Sequence, residues 1–340
     1  MRIKTKAICT IGPTSENEDI FERLVIQGMD IVRLNFSHAT PIQFIKIKKL
    51  IDKFNVKYRK RVQILVDLQG PRMRVGNLPI DGIKLEEGKN ILFSTDLQNK
   101  EAIYINNPYL HFDIEIGHPI YLSNGDMEVM VVDKNGLTVK TKVIRGGILY
   151  SKKGLNFPKT DLKTKGLTAK DLKDIEFGVK NKADFIALSF VRDSKDISEA
   201  RKLIKGSRIK IISKIERYPA IQNLEEIIKA SDLIMVARGD LGIEMPIENL
   251  PVLQKEIIEK SIKLRKPSIV ATQMLASMVN HYRPTRAEVS DIANAVLDGA
   301  WGLMLSDETA FGKYPVNALD YLVRTIQKTE QYEILEALTI

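Results

Sequence analysis

The stretch KIISKIERY, residues Lys210–Tyr218, combines an apolar run typical of a buried β-strand with two charged residues near its end. Side chains at positions i and i+2 of a strand point to the same face, so Lys214 and Glu216 are expected to share a face. Burying a cation and a carboxylate costs several kcal/mol unless other groups bind them. The pattern fits two interpretations: a structural Lys–Glu ion pair, or a site for a metal and an anionic ligand.

Apolar runs of the same kind recur along the whole chain. We predict buried parallel strands at Ala7–Ile11, Ile31–Leu34, Val62–Val66, Phe185–Leu188, Ile209–Ile215, Leu233–Val236, Ser268–Ala271 and Gly302–Leu305. Segments with helical periodicity lie between most of them, at Glu18–Gln27, Pro41–Phe54, Asp171–Val179, Asp196–Ile204, Pro219–Ala230, Leu250–Leu264, Thr285–Leu297 and Pro315–Thr329. Repeated strand–helix alternation of this length predicts an α/β fold, the (β/α)8 TIM barrel.

One interval breaks the alternation, because the chain between strand three and strand four is too long for a single helix. It contains short β-rich runs with turn signals between them, at Asn90–Ser94, Ile120–Leu122, Met127–Val132 and Leu137–Val143. We predict a small β domain at residues 72–156, called here the inserted domain, within a barrel formed by residues 1–71 and 157–340. The loop after barrel strand 3 lies at the carboxyl face, so the inserted domain is placed to act as a lid.

Composition excludes several classes of protein. The formal net charge is +9, but the basic residues are dispersed and no nucleic-acid-binding motif appears. No apolar run reaches the ~18 residues of a membrane span, and the N-terminus lacks the features of a signal peptide. The single cysteine, Cys9, allows no disulfide within the chain, and the four histidines show no metal-ligand spacing. We expect a cytoplasmic protein with no nucleic-acid or membrane partner.

Polar residues follow the predicted strands at the end where barrel enzymes have their chemistry. These residues include Thr10, Arg33, Asn35, Ser37, His38, Asp67, Ser189, Arg192, Lys214, Glu216, Arg238, Asp240, Thr272, Gln273, Ser306, Asp307 and Glu308. Glu216 and Asp240 are candidate ligands of a hard cation such as Mg²⁺, which takes one or two carboxylates and keeps oxygens from water and substrate. Gly239 and Gly242 would let backbone amides approach an anion, although an ordinary glycine-rich turn also explains them. The chain has no Walker A motif, so a bound nucleotide would not lie in a P-loop.

Nearly the whole chain resembles the pyruvate kinase family. The matching stretches are Lys4–Ser15, Val32–His38, Asp67–Arg74, Lys153–Pro158, Ile212–Glu216, Ile234–Glu244, Ala271–Met278, Pro284–Asp298 and Met304–Ala310. The resemblance implies a barrel, the A domain, interrupted by a small B domain, which is the inserted domain here. It also implies transfer of a phosphoryl group from phosphoenolpyruvate to ADP, giving ATP and pyruvate.

The resemblance further implies roles for individual residues. Lys214 matches the catalytic lysine, and Thr272 matches the threonine beside the methylene carbon that is protonated after transfer. Glu216 and Asp240 match the ligands of Mg²⁺ or Mn²⁺. The substrate carboxylate would be held by the backbone of Ala237, Arg238, Gly239 and Asp240. Arg33 matches an arginine that touches both the phosphoryl group and the nucleotide. The other residues that match nucleotide contacts of the family are His38, Arg74, Lys153 and Asn156. The family's potassium pocket matches Asn35, Ser37, Asp67 and Leu68.

Departures from the family pattern carry expectations of their own. In the family, an acidic residue at the position of Arg72 accompanies a need for K⁺, and a basic residue accompanies independence. Leu68 and Gln69 depart in the same direction, so we expect no K⁺ requirement, with Arg72 replacing the cation. The alternative is an ordinary surface arginine at the domain junction. Asp307 replaces a family glycine and would either alter nucleotide affinity or point to solvent.

The chain stops soon after the eighth helix, where most family members continue into a C-terminal regulatory domain. We therefore expect that domain to be absent, with no effector control through it, hyperbolic kinetics, and a homodimer formed through barrel surfaces. Two other functions stay open. One is another barrel enzyme of phosphoenolpyruvate or pyruvate, such as a carbon–carbon lyase, which would need no nucleotide lid. The other is a non-catalytic binding protein with the same fold.

Overall fold

The structure, a computed structural model, describes residues 4–107, 109–158, 160 and 166–339, with side chains described as far as residue 334. The first part of the chain alternates strands and helices: β1 (Lys6–Thr10), α1 (Glu18–Gln27), β2 (Ile31–Asn35), α2 (Pro41–Tyr58) and β3 (Gln63–Asp67). Asn17 caps α1 and Thr40 caps α2, each accepting a backbone hydrogen bond in the first turn. These caps explain why the helices begin where the periodicity predicted.

The chain after β3 forms the β-rich insertion. Its elements are β4 (Ile83–Leu85), β5 (Asn90–Ser94), β6 (Ile103–Tyr104), α3 (Leu110–Asp113), β7 (Pro119–Leu122), β8 (Met127–Asn135), β9 (Thr138–Arg145), β10 (Gly147–Leu149) and β11 (Leu155–Asn156). Six strands form one sheet in the order β11-β7-β8-β9-β5-β6, and β10 pairs with β4. Phe93, Ile120 and Val129 are fully buried within it. The insertion thus has an apolar core of its own.

The alternation then resumes to the end of the described chain. Its elements are α4 (Ala169–Lys180), β12 (Phe185–Leu188), α5 (Ser194–Leu203), β13 (Lys210–Ile215), α6 (Tyr218–Gln222), α7 (Leu224–Ala230), β14 (Leu233–Ala237), α8 (Arg238–Glu244), α9 (Leu250–Lys263), β15 (Ser268–Ala271), α10 (Arg286–Leu297), β16 (Gly302–Leu305), α11 (Asp307–Ala310) and α12 (Pro315–Thr339). Where the sequence predicted one helix at Pro219–Ala230, α6 and α7 are separated at Asn223, whose ψ of 19° lies outside the helical range.

Eight parallel strands close into a barrel in the order β1-β2-β3-β12-β13-β14-β15-β16, which confirms the predicted (β/α)8 fold. Each strand lies within one residue of its predicted bounds at either end. Inward side chains such as Ile8, Ile212 and Met304 fill the barrel axis, while their neighbours pack against the helices. No helix among the described residues is long and apolar enough to cross a membrane.

The chain leaves the barrel for the insertion through Gly70, just beyond β3. Gly70 has a φ of +67°, and a Cβ atom there would lie 2.9 Å from both Cβ and the carbonyl oxygen of Ser189. Glycine is required by both the backbone conformation and the close approach. This contact places the entry to the insertion directly against the carboxyl end of β12.

Candidate active site

A cleft of about 720 Å³ opens at the carboxyl face of the barrel. Residues from seven of the eight strands or the loops after them line it, together with Asn124 from the insertion. Of the predicted site residues, the cleft is lined by Arg33, Asn35, Ser37, Leu68, Arg72, Lys214, Glu216, Ala237, Arg238, Gly239, Asp240, Thr272 and Asp307. Residues far apart in sequence meet here because parallel strands end at the same face.

Lys214 lies at the floor of this cleft, with a side chain that is 11 % exposed. Its Nζ is 2.8 Å from Glu216 Oε1 and 3.2 Å from Asp67 Oδ1, and it donates a 2.8 Å hydrogen bond to Ser189 Oγ. Burial lowers the pKa of Lys214, but Asp67 and Glu216 outweigh burial and raise it overall. The ammonium group therefore stays charged in the cleft at neutral pH.

Asp67 holds two of the cations that line the cleft, Arg33 and Lys214, in place. Its Oδ2 accepts hydrogen bonds from Arg33 Nε at 2.8 Å and lies 2.7 Å from Arg33 Nη2, while Oδ1 faces Lys214. Arg33 Nη1 also donates to Thr10 Oγ1 at 3.1 Å. Burial raises the pKa of Asp67, but Lys214 and Arg33 outweigh it, so the pKa is lowered overall. The buried carboxylate is ionised and keeps both cations facing the cleft.

We predict that Asp67→Asn lowers the stability of the barrel by about 3–5 kcal/mol at pH 7, because two buried cations lose their shared counter-charge. The native pKa of Asp67 is depressed, so its contribution is present above the unfolded value of about 3.9 and lost as pH falls further. Urea unfolding followed by the fluorescence of Trp301, the single tryptophan, measures this. Asp52→Asn, which removes an exposed pair with Lys48, is the control. Equal stability of parent and Asp67→Asn at pH 7 would contradict the prediction.

Glu216 and Asp240 provide the carboxylates that a metal would need. Glu216 Oε2 accepts a 2.7 Å hydrogen bond from the backbone of Phe190, which has a φ of +59°. Burial raises the pKa of Glu216, Lys214 opposes this, and the negative charge of Asp240 adds to the rise. Two carboxylates close enough to repel each other beside an open cleft fit a hard divalent cation.

Among the described residues, no three or more acidic, histidine or cysteine side chains are arranged so that they could together hold a metal ion. A cation at Glu216 and Asp240 would therefore complete its coordination with water or ligand oxygens, as Mg²⁺ commonly does. Each Glu216 oxygen has a spare lone pair beyond the bond it already accepts. The residues present fit such an ion.

Thr272 directly follows β15 and has a φ of +73°, which is strained for a β-branched residue. Its Oγ1 accepts a 2.7 Å hydrogen bond from Gly239 N, and its carbonyl accepts one from Arg238 Nη2 at 2.8 Å. Arg238 also pairs with Asp291 at 2.7 Å. The Arg238 side chain therefore positions the loop after β15, and the two strand ends are joined at this point.

The predicted nucleotide-side residues other than Arg33 lie outside the lining of the cleft. His38 is exposed beyond β2. Arg74 donates to Lys152 O at 2.9 Å. Lys153 is exposed at the second junction of the insertion, where the chain returns to the barrel. Asn156, in β11, is buried and donates to Glu244 Oε1 at 3.4 Å. The structure therefore places Arg74, Lys153 and Asn156 where the insertion joins the barrel, and His38 in the loop after β2, rather than around Lys214.

Three groups at the site had no assigned role in the sequence analysis. They are the backbone amide of Phe190, the Asn124 side chain and the Glu244 carboxylate. Asn124 Oδ1 accepts from Arg72 Nη2 at 3.3 Å, and Arg72 Nη2 lies 3.4 Å from Asp240 Oδ1. Asn124 and Gly125 form a turn signal that the sequence shows. The position of this turn beside the cleft depends on how the insertion packs against the barrel, which the sequence does not show.

The chain matches the family model described as pyruvate kinase, barrel domain, over residues 2–319. The chain belongs to the pyruvate kinase family. It is 43% identical over 338 residues to a pyruvate kinase of Geobacillus stearothermophilus, covering 97% of this chain and 58% of that protein. It is 41% identical to a pyruvate kinase of Thermococcus litoralis, covering 97% of this chain and 70% of the relative. A pyruvate kinase of Thermotoga maritima is 42% identical, with 96% and 71% covered.

This pyruvate kinase family member therefore spans between about three fifths and seven tenths of the length of these relatives. The family predicted from sequence motifs is confirmed. The carboxylates, cations and Thr272 that the family motifs assigned are brought to one cleft, whereas His38, Arg74, Lys153 and Asn156 are not.

Proposed function

We propose that the chain catalyses transfer of a phosphoryl group from phosphoenolpyruvate to ADP, giving ATP and pyruvate. The observation that carries this proposal is Lys214, a charged ammonium fixed between Glu216 and Asp67 at the floor of an open cleft. The bond from phosphorus to the enol oxygen breaks, and a bond from phosphorus to an ADP oxygen forms. The enolate left behind takes up a proton at its methylene carbon to become pyruvate.

Lys214 and Arg33 would supply the electrostatic part of catalysis. Charge on the transferring phosphoryl group and the forming enolate is stabilised by cations that are already in place and need not reorganise. The Asp67 carboxylate holds both cations, since it contacts each of them. A cofactor ion, Mg²⁺ or Mn²⁺, when bound at Glu216 and Asp240, supplies further charge neutralisation. The two carboxylates would hold it beside Lys214.

Thr272 and the start of α8 would orient the substrate. The backbone from Ala237 to Asp240 would hold the substrate carboxylate, and Thr272 would lie beside the methylene carbon. The hydroxyl of Thr272 has too high a pKa to be the acid itself, so it would orient a water that donates the proton. The 2.7 Å bond from Gly239 N to Thr272 Oγ1 keeps these two parts of the site together.

The inserted domain, proposed as residues 72–156, would close over the nucleotide. His38, Arg74, Lys153 and Asn156 would then contact ADP or ATP together with Arg33. Glycine and proline at Gly70–Pro71 and around Gly154 suit a hinge between two rigid cores. A domain angle that stays unchanged when ADP and metal are added to an active enzyme would contradict this closure.

Arg72 would replace the potassium ion that many family members need. Its guanidinium lines the cleft and lies 3.4 Å from Asp240, so it is not an isolated surface arginine. The family pocket residues are also engaged, because Asp67 is neutralised by Arg33 and Lys214, and Asn35 Oδ1 accepts from Ser37 N at 3.1 Å. A tethered guanidinium is always charged and does not dissociate.

A coupled assay on the purified chain tests the proposed function. We expect ADP-dependent release of pyruvate from phosphoenolpyruvate in the presence of Mg²⁺ or Mn²⁺, in buffer free of Na⁺ and K⁺. Pyruvate release that does not depend on ADP would favour a different reaction of phosphoenolpyruvate. Complete inactivity with either metal, with and without K⁺, would favour a non-catalytic binding protein. A homodimer through barrel surfaces stays a prediction for size measurement in solution.

A further inference from the structure

Helix α8 contacts the substrate site at one end and the inserted domain at the other. Asp240 and Glu244 are four residues apart, so they lie on the same side of this helix. A helix of seven residues is only about 10 Å long and moves as one body. A displacement at Asp240 is therefore transmitted to Glu244.

Besides the Arg72–Asp240 contact, two further contacts of α8 reach the inserted domain. Asn156 Nδ2, in the second junction, donates to Glu244 Oε1 at 3.4 Å. A Cβ atom on Gly125, in the turn before β8, would lie 3.5 Å from Ile243 Cγ2, so this turn packs against the side of α8. The inserted domain thus docks on the helix that carries Asp240.

The Glu244 carboxylate is incompletely bonded in this arrangement. The residue is 6 % exposed, and Oε2 has no hydrogen-bond partner among the described residues. Burial raises the pKa of Glu244, and the nearby Arg217, the Asn156 amide and a hydrogen bond from the Tyr218 backbone oppose part of that rise. The bond from Asn156 is longer than the usual 2.7–3.2 Å for N–H···O. A buried acceptor that is poorly satisfied costs free energy, which better donors would recover.

Movement of the strand that carries Asn156 towards α8 would shorten the Asn156–Glu244 bond. A cavity of only about 20 Å³ lies between the two junctions and the side chains of Glu244 and Phe190. A small rotation of the inserted domain therefore suffices to close it. The Asn156–Glu244 bond is therefore shortest when the inserted domain lies closer to the cleft.

We propose that Glu244 is a positioning residue that couples ligand binding at Asp240 to closure of the inserted domain, through α8 and Asn156. This inference rests on the proposed function, because it takes Asp240 as part of the substrate site. By linkage, a ligand at the barrel site and a nucleotide under the inserted domain then strengthen each other's binding by the same factor.

The test measures that factor with a pair of ligands that do not react together, ADP and pyruvate. The Kd of ADP with Mg²⁺ is measured with and without saturating pyruvate, in the parent, Glu244→Ala, Glu244→Gln and Glu248→Ala. In the parent we expect pyruvate to tighten ADP binding about tenfold, the effect of one bond to a charged group. In Glu244→Ala the ratio of the two Kd values, without and with pyruvate, should fall to within twofold of one.

Two matched variants separate coupling from general damage. Glu244→Gln keeps an Oε1 acceptor for Asn156 and should retain most of the ratio. Glu248→Ala removes an exposed carboxylate one turn further along and should keep all of it. Closure itself is read from the distance between spin labels on Lys142→Cys and Glu199→Cys, both exposed positions. Cys9 is buried and does not interfere.

A parent ratio near one, or Glu244→Ala with the ratio and closure of the parent, would overturn the inference. If Glu244→Ala fails to fold, Ile243→Ala removes packing against Gly125 and leaves the buried carboxylate in place. It should lower the ratio about twofold, and a ratio and closure equal to those of the parent would overturn the inference. The coupled assay separates the two proposals. If the parent is active but pyruvate tightens ADP binding equally in Glu244→Ala, only the inference is refuted. If pyruvate tightens ADP binding through Glu244 but the parent is inactive, only the proposed function is refuted.

Discussion

Replacing Lys214 by methionine is expected to lower kcat by about 10²–10³-fold, the usual cost of removing one preorganised charge from a transition state. Arg33 cannot take its place, because it is held on Asp67 by two contacts. The variant should still fold. Asp67 keeps Arg33 as its counter-ion, and Glu216, whose pKa is already raised, can take up a proton. Steady-state kinetics with phosphoenolpyruvate and ADP give the result, and Mn²⁺ binding reports whether the carboxylates remain usable.

Lys210→Met is the matched control for this experiment. Lys210 begins the same strand, β13, but is exposed at the opposite end of the barrel, so kcat should stay within twofold of the parent. The two variants remove the same charge from opposite ends of the same strand, one buried between two carboxylates and one exposed. A Lys214→Met enzyme with kcat within tenfold of the parent would show that the role is misassigned.

Arg72→Glu is expected to lower activity in potassium-free buffer by about tenfold or more, and added K⁺ should restore part of the loss. Two unit charges ~4 Å apart interact by about 4 kcal/mol at an effective dielectric near 20. The Arg72 side chain is 27 % exposed, so solvent screens part of this and the net effect is smaller. The substitution also places a carboxylate beside Asp240. Initial rates at several concentrations of K⁺, with the ionic strength held constant by a bulky cation, measure both effects.

Arg283→Glu makes the same charge change at an exposed position outside the cleft lining, and should affect neither the rate nor its response to K⁺. The parent should reach full activity without K⁺ or Na⁺. Activation of the parent by several-fold on adding K⁺ would mean that Asn35, Ser37 and Asp67 still bind the ion and that Arg72 does not replace it.

The barrel was predictable because its signal is local. A strand covered on both faces is a short apolar run, and the helices between strands show periodic apolar positions and polar caps, so each element is encoded by its own residues. The strand ends then follow from the fold, which is how Lys214, Glu216, Asp240 and Thr272 were expected at one face. Strands of only two or three residues in the insertion, such as β6 and β11, were missed because they are too short to show any alternation.

The chain's order of strands and helices is enough to predict which charged groups share the carboxyl face, since strand order and direction bring them there. The pairing of those groups depends on the folded structure, which places Asp67 between Arg33 and Lys214, Phe190 N on Glu216, and Asn156 on Glu244. These contacts join residues from different strands or from the two parts of the fold. Their geometry depends on strand register, on a left-handed backbone at Phe190 and on how the insertion docks, none of which is encoded in a local stretch of residues.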